Sequence, residues 1–170
     1  MPRNIDLHGL DMAVAAALVA EPGATYPRLS ELLGMSPATS HGAVRRLEYA
    51  ALLRPGTRIV NALALREFLV HGLRYAFAAR PGPVVRGVPT AHAGPALRAH
   101  VVSDAPYVWP SPEGDAVGPA VSPLYARAAE LPRRSPAVYE MLSAMDALRV
   151  GRARERKAAA AAIDRRLQVA

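Results

Sequence analysis

Over the first eighty positions the apolar residues recur at helical spacing, and the breaks between runs fall at glycine, proline and capping residues. Leu7, Leu10, Val14 and Leu18 predict an amphipathic helix over residues 6 to 20, ended by Pro22 and Gly23. Thr25 can cap a second helix, Pro27 is tolerated in its first turn, and Leu29, Leu32 and Leu33 form its apolar face. Gly34 follows, and a glycine there can take the left-handed conformation that turns a chain sharply after a helix. Ser36 and Pro37 open a third helix whose buried side continues through Val44, Leu47 and Ala51. Past Leu53 the pattern changes from helical to extended. The run "RPGTRIVN", residues 54–61, carries a Pro-Gly turn and the β-branched Thr57, Ile59 and Val60, which predicts a small two-stranded hairpin.

Asn61 can cap the next helix, in which Leu65, Phe68, Leu69, Gly72, Leu73 and Ala76 share one face while Leu63, Val70 and Phe77 are apolar on another. A helix with two apolar sides packs between elements or against a partner chain, so residues 63–80 are expected to connect and to dimerise. Residues 81–135 break the regularity, because eleven prolines and five glycines between Pro81 and Pro136 leave no room for a long element. Tyr107, Trp109, Leu124 and Tyr125 nevertheless give this stretch more apolar weight than a solvated linker carries. The expectation is an ordered, mostly extended segment draped over the protein's own core or over a partner. Regularity returns in residues 136–170, with a Ser135-capped helix bearing Val138, Met141, Leu142, Met145 and Leu148, then Gly151 and an alanine-rich stretch ending near Leu167.

Composition sharpens this mainly α reading. The chain of 170 residues is 51% hydrophobic but only 5% aromatic, which favours helices packed through small side chains over a β-sandwich. It has no cysteine, which removes disulfides, thiolate metal sites and cysteine nucleophiles. Arg3 with the apolar run Met12 to Ala20 is too short and too acidic in its flank to be an export leader, and no run reaches the length of a membrane span, so the expected location is the cytoplasm. The formal charge is +7, nearly all from arginine, and the surplus sits in residues 1–80 and 137–170, not between them. Arginine holds its charge and forks onto phosphate, so this balance suits a polyanionic partner such as nucleic acid.

The order helix, helix, glycine corner, helix, hairpin, with the run "LSELLGMSPATSHGAVRRLEYAALLRPGTRIVN", resembles the winged helix-turn-helix of MarR- and IclR-like bacterial transcriptional regulators over about residues 6 to 62. The resemblance implies a domain over residues 1–62 whose third helix enters the major groove of double-stranded DNA. The physical basis is independent of the family: the groove admits one helix, whose first turn points small polar side chains and backbone N–H groups at bases and phosphates. Ser36, Ala38, Thr39 and His41 supply that turn. Arg45 lies one turn on, facing a phosphate or a guanine edge, with Arg46 beside it. Arg54 and Arg58 flank the hairpin tip, and Arg28 starts the second helix near the sugar-phosphate rail. Two positions depart from the family pattern, Ser40 where a buried apolar residue is usual and Gly42 where a contact residue is usual, and both changes are expected to weaken the recognition helix.

The expected function is therefore transcriptional regulation by a homodimer. The competing reading is a protein-interaction module, such as the regulatory or antitoxin half of a two-protein system, with residues 81–136 wrapping the partner. A small-molecule pocket lined by Tyr107, Trp109 and Tyr125 is a third reading. No enzyme is expected, and no metal or other cofactor: His8, His41, His71, His92 and His100 lack metal-helix pairing, no glycine-rich phosphate loop follows a strand, and Asp104, Glu113 and Asp115 read as a solvated cluster.

Overall fold

A computed structural model of the protein describes residues 5–103 and 105–169, so Arg3 and Asp104 lie outside the described residues. Helix α1 (Gly9–Ala20) is followed by α2 (Tyr26–Leu33) and α3 (Pro37–Tyr49). The caps sit where the sequence puts them: the Thr25 hydroxyl accepts from the Arg28 amide and the Ser36 hydroxyl from the Thr39 amide. Gly34 ends α2 in the left-handed region at φ 66°. Leu53 and Val60 then pair across a tight turn that has Gly56 at φ 66°. Helix α4 (Ala62–Glu67) runs through a π-helical turn (Phe68–Gly72) into α5 (Leu73–Ala76). The π turn has a use here, because an α-helix overshoots by about 40° at every fourth residue and a wider turn reverses that drift. Leu65, Leu69 and Leu73 all stay buried in consequence.

The proline-rich middle is built into a three-stranded antiparallel sheet, which goes beyond the extended segment expected from the sequence. Strand β1 (Val84–Thr90) lies between β2 (Tyr107–Pro110) and β3 (Ala116–Pro119). A proline inside a central strand would normally break a ladder. Here residues 84–87 of β1 pair with β3 and residues 87–90 with β2, so Pro89 has a strand on one side only. Gly87 is the crossing point of both pairings, and a Cβ there would collide with the Trp109 carbonyl oxygen. The periodicity missed the sheet because its strands are short and their apolar residues do not alternate cleanly.

Helix α6 (Leu131–Arg134), α7 (Pro136–Val150) and α8 (Ala153–Leu167) complete a mainly helical chain. The centre of the molecule is α1 packed on α7, both rich in alanine and therefore able to approach closely. Helix α1 corrects one expectation. It is buried on every side from Asp11 to Leu18, not amphipathic, because α2 and α3 cover one flank while α7 and α8 cover another. Sheet and helices meet at Asp146 on α7, a fully buried carboxylate. It accepts from Thr90 Oγ1 at 2.7 Å, Trp109 Nε1 at 2.6 Å and Arg149 Nη1 at 2.6 Å. Arg149 also donates from Nε to the Phe77 carbonyl at 2.8 Å, so one ion pair joins α7, two strands and the end of α5. Burial pushes the Asp146 pKa up, against the pull of Arg149 and the hydrogen bonds. No described helix is long and apolar enough to cross a membrane.

Candidate nucleic-acid interface

The first turn of α3 faces solvent. Ser36, Pro37, Ala38, Thr39 and His41 are exposed, and so is Arg45 one turn beyond. The Ser36 side chain both caps the helix and pairs with the Thr39 hydroxyl at 2.8 Å, so these two polar groups hold each other in place. Ser40 is fully buried, and its hydroxyl donates to the Pro37 carbonyl at 3.0 Å, which removes the cost of an unsatisfied group in place of an apolar residue. At Gly42 an added Cβ would touch Arg46 Nη1 at 3.4 Å, the near limit of ordinary van der Waals contact.

The basic residues divide into two groups. Arg45 and Arg54 are exposed and make no side-chain hydrogen bond or ion pair within the described residues. Arg58 stands between the groups. Its Nε donates to the Ala24 carbonyl at 2.8 Å and its guanidinium lies 5.2 Å from the Tyr26 ring centroid, an arrangement that pins the hairpin to the loop before α2 while leaving the charge without a carboxylate. His41 packs on the same Tyr26 at 5.1 Å between centroids, so one ring braces both the exposed helix and the hairpin. Sequence reading missed Tyr26, since a single aromatic ahead of Pro27 carries no periodic signal.

Two arginines placed toward DNA from the sequence are engaged elsewhere. Arg46 forks onto Asp11, with Nε at 2.8 Å from Oδ2 and Nη2 at 2.7 Å from Oδ1. Asp11 is wholly buried, so Arg46 neutralises a core carboxylate and does not turn outward beside Arg45. Arg28 is bound by Glu21 through Nε at 2.9 Å and Nη2 at 2.8 Å, and by Glu31 through Nη1 at 3.0 Å. The Arg28 guanidinium in turn lowers the Glu21 pKa. A phosphate would have to displace both carboxylates to reach it.

The corner between α2 and α3 is held from the other half of the chain. Arg127 Nη1 donates to the Gly34 carbonyl, and Arg134 Nη1 donates to that of Glu31 at 3.2 Å. Glu130 joins the two guanidinium groups and has its pKa drawn down to about 2, first by Arg127 and then by Arg134. A Cβ on Gly34 would meet Arg127 Nη1 at 2.7 Å, so this glycine meets a need for space as well as for positive φ.

Elsewhere Trp109 and Tyr125 are buried and Tyr107 packs on His92 at 4.6 Å, which makes the three aromatic rings part of the core packing. Among the described residues no group of three or more His, Asp or Glu side chains is gathered as metal ligands would be. No family model matches this chain, and neither a curated protein nor a solved structure is similar to it.

Proposed function

We propose that the protein is a DNA-binding transcriptional regulator that reads duplex DNA through a winged helix-turn-helix formed by α1, α2, α3 and the hairpin. The observation that carries this reading is the exposed first face of α3. Thr39 and His41 present polar groups beside the small Ala38, and Arg45, Arg54 and Arg58 have no carboxylate partner among the described residues. Neighbouring arginines are neutralised by carboxylates, so the positive field concentrates where a helix and a hairpin would straddle a groove. One such helix reads only a few base pairs, and a homodimer supplies the second half-site. Leu63, 71% exposed directly after the hairpin, is the apolar residue suited to that contact.

Selection from random duplex DNA, followed by fluorescence anisotropy, tests the reading. Arg45→Ala should weaken the selected site by about 1–3 kcal/mol and random DNA much less. Arg58→Ala should weaken all sequences more evenly. Equal, sequence-blind binding by the parent and both variants would defeat the proposal and leave a scaffold for protein contacts as the better account. For the dimer, light scattering should return twice the chain mass for the parent and a monomer for Leu63→Glu.

A further inference from the structure

Helices α4 and α5 run antiparallel to α8, and their facing side chains change character along the seam. At one end Arg66 forks onto Asp164, with Nε to Oδ1 at 2.6 Å and Nη2 to Oδ2 at 3.1 Å. One turn on, Val70 and Ala160 line the floor of a hollow of about 260 Å³. At the other end continued pairing would put a carboxylate opposite Arg74. The chain puts Arg156 and Lys157 there instead, and His71 also lines the hollow. Among the described residues no carboxylate lines the hollow.

Among the described residues none of these basic groups has a carboxylate partner. Lys157 is exposed with no partner within the described residues, and Arg74 has only the Tyr75 ring, 5.2 Å from its guanidinium carbon. Arg156 uses Nη1 to hold the Gly151 carbonyl at 2.7 Å and keeps its other donors. The acidic residue of the same turn, Glu155, is drawn back onto the Arg152 amide at 2.8 Å. Several like charges lining one concavity repel one another, and a counter-anion from outside relieves that repulsion. A single carboxylate would neutralise one of them, whereas a phosphate group carries up to two charges and presents three oxygens to forked and ammonium donors.

We propose that this hollow is a binding site for a phosphate-bearing ligand, with Arg74, Lys157 and Arg156 holding the phosphate and Tyr75, 74% exposed at its edge, covering the adjoining part of the ligand. The phosphate can belong to a free phosphorylated small molecule or to the backbone of bound DNA. The site lies apart from the α3 surface; its pyrophosphate arm is independent of the DNA-reading proposal, and only the assignment to backbone phosphates rests on it.

The test titrates inorganic pyrophosphate calorimetrically into the full chain, into the double variant Arg74→Ala/Lys157→Ala, and into Arg154→Ala/Arg165→Ala, which removes two exposed charges outside the hollow. Saturable binding is expected in the parent and the control, weakened roughly tenfold or more in the first variant by loss of charged hydrogen bonds. Lys157→Gln, a surface change that leaves the helix intact, gives a milder loss and guards against misfolding of the double variant. A second arm measures duplex DNA binding against salt. An unchanged log-log slope in Arg74→Ala/Lys157→Ala assigns the site to a free ligand, and a slope reduced by about 1.8 assigns it to backbone phosphates. The proposal is overturned if pyrophosphate binds the parent and Arg74→Ala/Lys157→Ala equally, or if it binds neither and duplex DNA either is not bound or keeps an unchanged salt slope.

Discussion

Arg45 and Arg46 are adjacent in the chain and have opposite duties. A step of one residue along a helix is a rotation of about 100°, enough to carry one side chain outward and the next onto α1. Arg46→Ala would strand the Asp11 carboxylate in the core with, among the described residues, only the His8 amide, at 2.8 Å, to hold it. The loss expected on removing one partner of a buried pair is about 3–5 kcal/mol. Arg45→Ala should change stability by less than about 0.5 kcal/mol, as for an exposed side chain without partners. Urea unfolding of the two variants separates the roles, and equal effects on stability would contradict this assignment. A DNA-binding defect in Arg46→Ala therefore has to be corrected for unfolded protein before it is read as a lost contact.

Helix α3 carries a glycine where none is needed by its backbone. Gly42 has ordinary helical neighbours and room for a methyl group, so Gly42→Ala should stabilise the protein by up to about 1 kcal/mol and raise its melting temperature. A fall in stability would show that the chain needs flexibility or close approach at that point. The corner before α3 depends on the Arg127–Glu130–Arg134 cluster, and this gives it a pH dependence. Glu130 has a folded pKa of about 2 against an ordinary carboxylate near 4.5. Its contribution is thus complete above about pH 4.5 and is lost as the pH falls toward 2. Denaturant midpoints measured from pH 6 to pH 2.5 should fall less steeply in Glu130→Gln than in the parent. The difference is small because the cluster is largely solvent-exposed.

The whole molecule shares one core, which extends from Met12 to Leu167. Helix α1 has α2 and α3 on one flank but needs α7 and α8 to cover the rest. A fragment ending at residue 62 should therefore lack a cooperative thermal transition by circular dichroism, since it exposes the flank of Met12 to Leu18 that α7 and α8 cover. Trp109, the one tryptophan in the sequence and 1% exposed, lies in the sheet far along the chain from α3. Its fluorescence and the far-ultraviolet helix signal should report the same denaturation midpoint. Separate midpoints would mean that the two halves unfold independently.

The sequence by itself determined the local elements of the N-terminal half and the outward face of α3. Helix caps, a left-handed glycine and a Pro-Gly turn act within four or five residues, so their physics is complete in a short window. Thr25, Ser36, Gly34 and Asn61 behave as their neighbours dictate. What only the tertiary structure decided is which charges are free. Asp11 and Arg46 are 35 residues apart, and the arginines that hold the α2 carbonyls come from about a hundred residues downstream. The three-stranded sheet belongs to the same class, since β1 tolerates Pro89 only because its two neighbours cover different halves. The basic hollow does too, as its charged residues come from α5 and α8, some eighty positions apart, with Leu148 of α7 between them in the chain. Pairing across such distances depends on packing geometry, which no periodicity along the chain encodes.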